Sequence, residues 1–306
     1  MRKKRSRLQW LLMPLALASL IWTGYLLWKS FPALSHSLPH LKLGWIVVGL
    51  MGCPLSSYLA FEGFRALFAE IRPHTYKRTS LAHLYFTGQL MKHLPGRIWG
   101  IAYQSGTGTS ASLAEWISIN ATYMALTTAF AIWVAATVIG TMFQLKIGML
   151  IFGIGLTLYL CLWNARPMTA IIKLARHLPG NATSRICDAL QPFAMAKSRL
   201  KRDIWCWFTA SWLVYLLAWS AYGIAWPGLT AADGVWLCGI YTAAWFFGYV
   251  SVITPSGIGV RELMFMLMAS HFPADAIAGL AVLGRVSLLV ADIVLGLVFA
   301  PYRESQ

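Results

Sequence analysis

Apolar residues in this chain fall in long continuous blocks separated by short polar segments, not at the spacing of half-buried helices or strands. A helix that crosses a bilayer needs roughly 20 consecutive apolar residues. Six blocks are read as spans of that kind: Leu8 to Trp28, Leu43 to Gly63, Leu113 to Val138, Ile147 to Trp163, Ile204 to Trp226 and Ile277 to Ala300. Two further regions, Leu81 to Tyr103 and Val235 to Ala269, are apolar but broken by proline and glycine. The pattern predicts an all-α polytopic membrane protein in which residues 1–306 form a single membrane domain.

The breaks change that picture from a plain helix bundle. Pro255 removes a backbone donor, and Gly257 and Gly259 tolerate turns that other residues resist, so a helix entering this region stops and restarts. In lipid each unpaired backbone group costs several kcal/mol, so broken backbone survives only where protein covers it or a polar cavity solvates it. A second copy lies 160 residues upstream: Gly88 stands seven residues before Pro95, as Gly248 stands seven before Pro255. Paired interrupted segments in the two halves of a membrane protein point to a substrate site.

Composition agrees with the class and charge adds the topology. The chain is 58% hydrophobic and 11% charged, and its formal net charge is +15. The basic residues lie in short loops between the apolar blocks, the positive-inside arrangement, which argues against a nucleic-acid partner. The basic start, Met1 to Arg7, followed by an apolar run too long for a signal peptide, reads as a first span with a cytoplasmic N-terminus. If Leu81 to Tyr103 crossed the membrane once, the loop Asn164 to Asp203 would lie outside with eight basic residues, against the charge rule. If it enters from the cytoplasm and turns back, that loop lies inside, and only Lys29, Lys42 and Lys146 are external. By the same parity Val235 to Ala269 enters from outside, Asp275 caps the last span, and the C-terminus is cytoplasmic. The result is an inverted repeat with two re-entrant hairpins, the first repeat over about 43–138 and the second over about 204–300. A plain eight- or nine-helix bundle with kinked helices is the competing reading. The basic loop 164–203 reads either as two amphipathic surface helices or as a solvated connector.

Ionisable residues inside apolar sequence are costly and therefore functional candidates. Arg285 lies within the last span, and Asp292 follows two helical turns on. Arg261 and Glu262 follow the second break, where the restarted helix presents its positive end. Glu262 has several open roles: a partner for Arg261 or Arg285, a holder of a substrate amine, or a proton carrier. Lys92 and Arg97 flank Pro95-Gly96 in the first break and make that tip basic as well. His93 reads as a packing residue, and Glu62 and Arg65 as interfacial. Ser112 to Glu115 forms a capping box, and Asn120 is placed to hydrogen-bond a neighbouring helix. The five cysteines show no paired spacing, and no nucleophile–base arrangement or metal-ligand set stands out. No catalytic residue, metal or cofactor is therefore expected, and the chain does not read as an enzyme.

Pro255-Ser-Gly257-Ile-Gly259-Val-Arg261-Glu262, together with Leu94-Pro95-Gly96-Arg97, resembles the lysylphosphatidylglycerol synthase transmembrane-region family, the flippase-like membrane part of that bifunctional protein. The resemblance implies a lipid translocase fold with re-entrant helices and carries Pro255, Gly257, Gly259, Arg261 and Glu262 over as core motif residues. Many members have a Gly-Glu pair shortly after the first proline, where this chain reads Arg97-Ile98-Trp99-Gly100. The aminoacyl-transfer domain has no counterpart in these residues, so lipid synthesis is not expected of them.

The expected function is a lipid flippase of a prokaryotic inner membrane, acting on an anionic phospholipid or a polyprenyl-phosphate-linked sugar. Arg261, Arg285 and Arg97 are the expected phosphate partners, with Glu262 and Asp292 setting the local charge. The alternatives are an accessory subunit or lipid-modifying enzyme that presents a lipid-linked sugar to a glycosyltransferase, and a small-solute transporter. Membrane lipids are the expected partners, and a homo-oligomer or a glycosyltransferase partner stays open.

Overall fold

The structure, a computed structural model, describes Trp28 and residues 40–71, 76–91, 99–106, 111–163, 198–250 and 260–300. The expected first span, both breaks (with Lys92, His93, Arg97, Pro255, Gly257 and Gly259) and residues 164–197 of the basic loop lie outside the described residues. Within them all regular structure is helical: α1 Leu43–Ile71, α2 Arg78–Met91, α3 Trp99–Gly106, α4 Leu113–Phe143, α5 Leu145–Trp163, α6 Ser198–Ala225, α7 Ala231–Val250, α8 Val260–Met268 and α9 Ala274–Phe299. Among the described residues four stretches are long and apolar enough to cross a membrane, Leu43–Glu70, Leu113–Phe143, Arg202–Ala225 and Ala274–Phe299. Large apolar side chains stay exposed along all four, among them Met51, Ile132, Leu217 and Leu297. Apolar surface on this scale is at home against acyl chains and not against water. The architecture is that of an all-α polytopic membrane protein.

At the centre α1 and α6 pack against each other in opposite directions. Phe208 fits against Gly63, Ala218 against Gly52 and Tyr222 against Gly49, so rising numbers on one helix meet falling numbers on the other. Between these contacts Ser56 Oγ donates to the Ser211 carbonyl at 2.9 Å, and Ser211 Oγ donates to the Ser56 carbonyl at 2.9 Å. These two residues are 155 apart in sequence. Phe64 and Trp219, separated by the same interval, make matching ring contacts: Phe64 with Tyr85 at 4.8 Å and 43°, Trp219 with Tyr241 at 4.8 Å and 45°. Two apolar clusters follow from this pairing, one around Phe61, Phe64 and Trp116, the other around Trp219, Tyr222 and Tyr241.

The short helices α2 and α3 run side by side in opposite directions. Gly88 faces Gly100, and Gln104 Nε2 reaches the Leu84 carbonyl at 3.4 Å. Arg78 and Gly106 therefore lie at the same end of the molecule. The approach depends on glycine, since a Cβ on Gly100 would stand 2.7 Å from the Gly88 carbonyl oxygen, which as backbone cannot swing away. Gly100→Ala is therefore expected to lower stability by about 1–3 kcal/mol, the usual cost of overpacking. A thermal unfolding scan in detergent checks this, and an unchanged transition would mean that the two helices are not in contact.

The remaining helices close around this pair. α4 opens at Ser112, whose backbone N–H donates to Glu115 Oε2 at 2.7 Å while the Glu115 N–H returns to Ser112 Oγ at 3.3 Å, the expected capping box. Asn120 bonds Gln104 Oε1 at 2.9 Å and so ties α4 to α3. α7 lies between α4 and α6, with α8 alongside it, and α9 packs on α1 and α2. His83 of α2 contacts the Phe299 carbonyl at 3.2 Å, and Tyr58 of α1 stacks on the Phe299 ring at 6.1 Å.

Two expectations are corrected. Asp275 is not the cap of the last span: Pro273 holds that position without a side-chain bond, and Asp275 accepts from Trp226 Nε1 at 3.3 Å. Glu62 does not mark the end of its helix. α1 continues to Ile71, and Phe64, Leu67 and Phe68 carry its buried face past Glu62, which is itself only 1% exposed.

Candidate functional site

α8 is short, and its first turn carries Arg261 and Glu262. Successive helical side chains diverge by about 100°, so the two point to different neighbours. Arg261 turns to α7, where its guanidinium lies 4.0 Å from the centre of the Tyr241 ring. Glu262 turns to α9, where Oε1 is 3.2 Å from Arg285 Nη1. Of the partners open to Glu262 from the sequence, the structure pairs it with Arg285.

The platform under Arg261 is fixed by aromatic packing. Tyr241 sits against Trp219 at 4.8 Å and meets Phe265, one helical turn beyond Arg261, edge to face at 5.3 Å and 89°. Desolvated cation–π contacts of this kind are worth about 2 kcal/mol. That is not enough to satisfy a buried guanidinium. Arg261 is 6% exposed, and its Nε and Nη2 donors have no hydrogen-bond partner among the described residues. Orphaned buried donors cost about 1–3 kcal/mol each. Nε–H and one Nη2 hydrogen point the same way, along one edge of the planar group, which is the geometry that takes two oxygens of a carboxylate or phosphate. Tyr241 Oη also has no hydrogen-bond partner among the described residues.

Arg285 is less enclosed, with 27% of its side chain exposed. Arg261, Glu262 and Arg285 thus gather at the start of α8, immediately after the second break, with cations in excess of the carboxylate. Asp292, 5% exposed, is separate from this group. It lies further along α9, close enough to Tyr85 of α2 to act on it electrostatically. The expected site residues therefore divide. Arg261, Glu262 and Arg285 come together, Asp292 belongs to the α2 side, and Arg97, Pro255, Gly257 and Gly259 lie outside the described residues.

Compared with protein-family models, curated proteins and solved structures, the chain matches none.

Two features escaped the sequence reading. Tyr241 as the seat of Arg261 has no local signal, because the contact joins residues 20 apart on different helices. Glu62 did carry one: an acid flanked by Phe61, Gly63 and Phe64 is an ionisable residue in apolar sequence. It accepts from Arg65 Nε at 2.7 Å and Arg78 Nε at 2.8 Å.

Proposed function

We propose that this chain is a lipid translocase that accepts an anionic headgroup beside α8 while the acyl chains stay in the bilayer. The observation that carries the reading is Arg261, a buried guanidinium on an aromatic platform whose two-donor edge has no partner among the described residues, placed where an apolar segment breaks. Such an edge is stabilised by an anion that arrives and leaves. The substrate class is an anionic phospholipid or a polyprenyl-phosphate-linked sugar, both of which offer phosphate oxygens. The resemblance of Pro255 to Glu262 to the flippase-like family points the same way.

The translocase reading includes an inverted repeat, α1 to α4 against α6 to α9, with α2–α3 and α7–α8 as re-entrant hairpins. It is supported by the reciprocal serine bonds of two opposed helices, by the matching Phe64–Tyr85 and Trp219–Tyr241 contacts, and by paired neighbours, α4 on α7 and α9 on α2. A helix of 14 residues such as α2 is about 21 Å long, short of the roughly 30 Å hydrocarbon core. Charge orients the whole. Arg65, Lys77, Arg78 and Arg202 lie towards one end and take the cytoplasmic side, while Lys42, Asp233 and Asp275 take the other. The membrane is then the inner membrane of a prokaryote, and the hairpins rock to open the site to either leaflet.

Two experiments test this. Liposomes carrying the full-length protein and a headgroup-labelled phosphatidylglycerol are expected to move label between leaflets faster than protein-free liposomes, read by a membrane-impermeant quencher. Equal rates remove the translocase reading. On a cysteine-free background, Ser105→Cys and Asp203→Cys are expected to label from one side and Lys146→Cys from the other; labelling of 105 and 203 from opposite sides removes the re-entrant first hairpin.

A further inference from the structure

We propose that Arg65 and Arg78, held by Glu62, form a second anion site that takes the phosphate of a lipid headgroup at the membrane surface. The site stands apart from α8 and does not depend on the translocase reading. Glu62 Oε2 accepts from Arg65 Nε at 2.7 Å; Glu62 Oε1 accepts from Arg78 Nε at 2.8 Å and from Arg78 Nη2 at 2.6 Å. The carboxylate is buried and the two guanidiniums are not: 40% of the Arg65 side chain and 56% of the Arg78 side chain are exposed.

One buried carboxylate needs one cation. Here it holds two, so one positive charge is in excess. The clamp uses the Nε side of each guanidinium and leaves outward donors, Nη1 of Arg78 and the Nη groups of Arg65, without other partners among the described residues. A freely rotating arginine must lose rotamer entropy to bind a phosphate, and these two have already lost much of it. Tyr58 limits Arg78 further, its ring lying 5.6 Å below the guanidinium. The Glu62 bond also raises the Arg78 pKa above its ordinary value, so the charge persists at all ordinary pH.

Position selects the ligand. The apolar block of α1 ends at Gly63 although the helix continues to Ile71, so Arg65 stands where hydrocarbon gives way to headgroups. Arg78 opens α2 beside exposed Lys77, and a helix start adds its own positive end. A phosphodiester at headgroup depth meets these donors without leaving the bilayer, whereas a free phosphate ion would be drawn from water to the same group.

Native mass spectrometry of the full-length protein in detergent, titrated with phosphatidylglycerol, phosphatidylcholine or inorganic phosphate, tests the site. Arg65→Gln is expected to weaken phosphatidylglycerol binding by about tenfold, the worth of one charged hydrogen bond, and to weaken phosphatidylcholine less, because its choline offsets the phosphate charge. The Arg78 bonds to Glu62 keep α1 tied to α2 in that variant, and a melting curve checks it. Arg78→Gln, made separately, reads the same site from the other helix and is expected to show the same loss. Retention of phosphatidylglycerol in excess inorganic phosphate supports a lipid as the source of the anion; displacement overturns that assignment in favour of a soluble phosphate. Wild-type affinity for phosphatidylglycerol in both single variants overturns the site.

Discussion

Arg261→Met is expected to silence lipid movement while leaving the protein as stable as wild type, or more so. Two donors of its guanidinium, Nε and Nη2, have no hydrogen-bond partner among the described residues. If an anion completes them during transport, each charged hydrogen bond contributes about 1.5–3 kcal/mol to holding the headgroup, so removing both slows leaflet exchange on the order of a hundredfold or more. In the resting protein the same donors are a cost. Arg261 is buried beneath Tyr241, Phe265 and their neighbours, and methionine fills a similar volume with no polar atom to satisfy. Well-packed apolar side chains in place of buried ionic groups are often neutral or stabilising, and the buried donors that go unpartnered here cost about 1–3 kcal/mol each. The measurement is paired: exchange rate in liposomes and melting temperature in detergent, on one preparation. A variant that loses stability and activity together would make Arg261 a structural residue and leave the site without its anion partner.

The second large effect concerns Glu262 and Arg285. Arg285→Ala takes a cation 3.2 Å from a carboxylate that is only 6% exposed, so the expected loss is about 3–5 kcal/mol, the usual cost of removing one partner of a buried pair. Glu262→Gln is expected to cost less, because Arg285 is only partly enclosed, with 27% of its side chain exposed, and the amide oxygen still accepts from it. Combining the two should recover part of the first loss, with a coupling energy of roughly 1–3 kcal/mol in a double-mutant cycle. Strict additivity in the melting data would mean that the pair does not hold α8 to α9.

Much of the scaffold was legible because it is local. Apolar blocks mark α1, α4, α5, α6 and α9, and the capping box of Ser112 and Glu115 spells out where α4 begins. Charge misled where it was taken as an end marker. Glu62 and Arg65 interrupt the hydropathy of α1 but not its helix, since Phe64, Leu67 and Phe68 still face the core and Arg78 reaches across to neutralise the acid. The site was legible in its residues and not in its arrangement. Arg261, Glu262 and Arg285 stand out as charges in apolar sequence, but which of them meet depends on how α7, α8 and α9 cross. The Asp292 side chain shows the limit of a single-helix view: seven residues from Arg285 and on the same stripe, it nonetheless belongs to a different neighbourhood, because α9 passes from α8 to α2 along its length.

The seam between α1 and α6 is keyed. Aromatic rings from one helix fill notches left by glycines of the other, and two hydroxyls latch the middle from both directions. Such a joint resists sliding, since any axial shift lifts a ring out of its notch. The pair is therefore the stiff member of the bundle, the axle against which α2, α7 and α9 are laid.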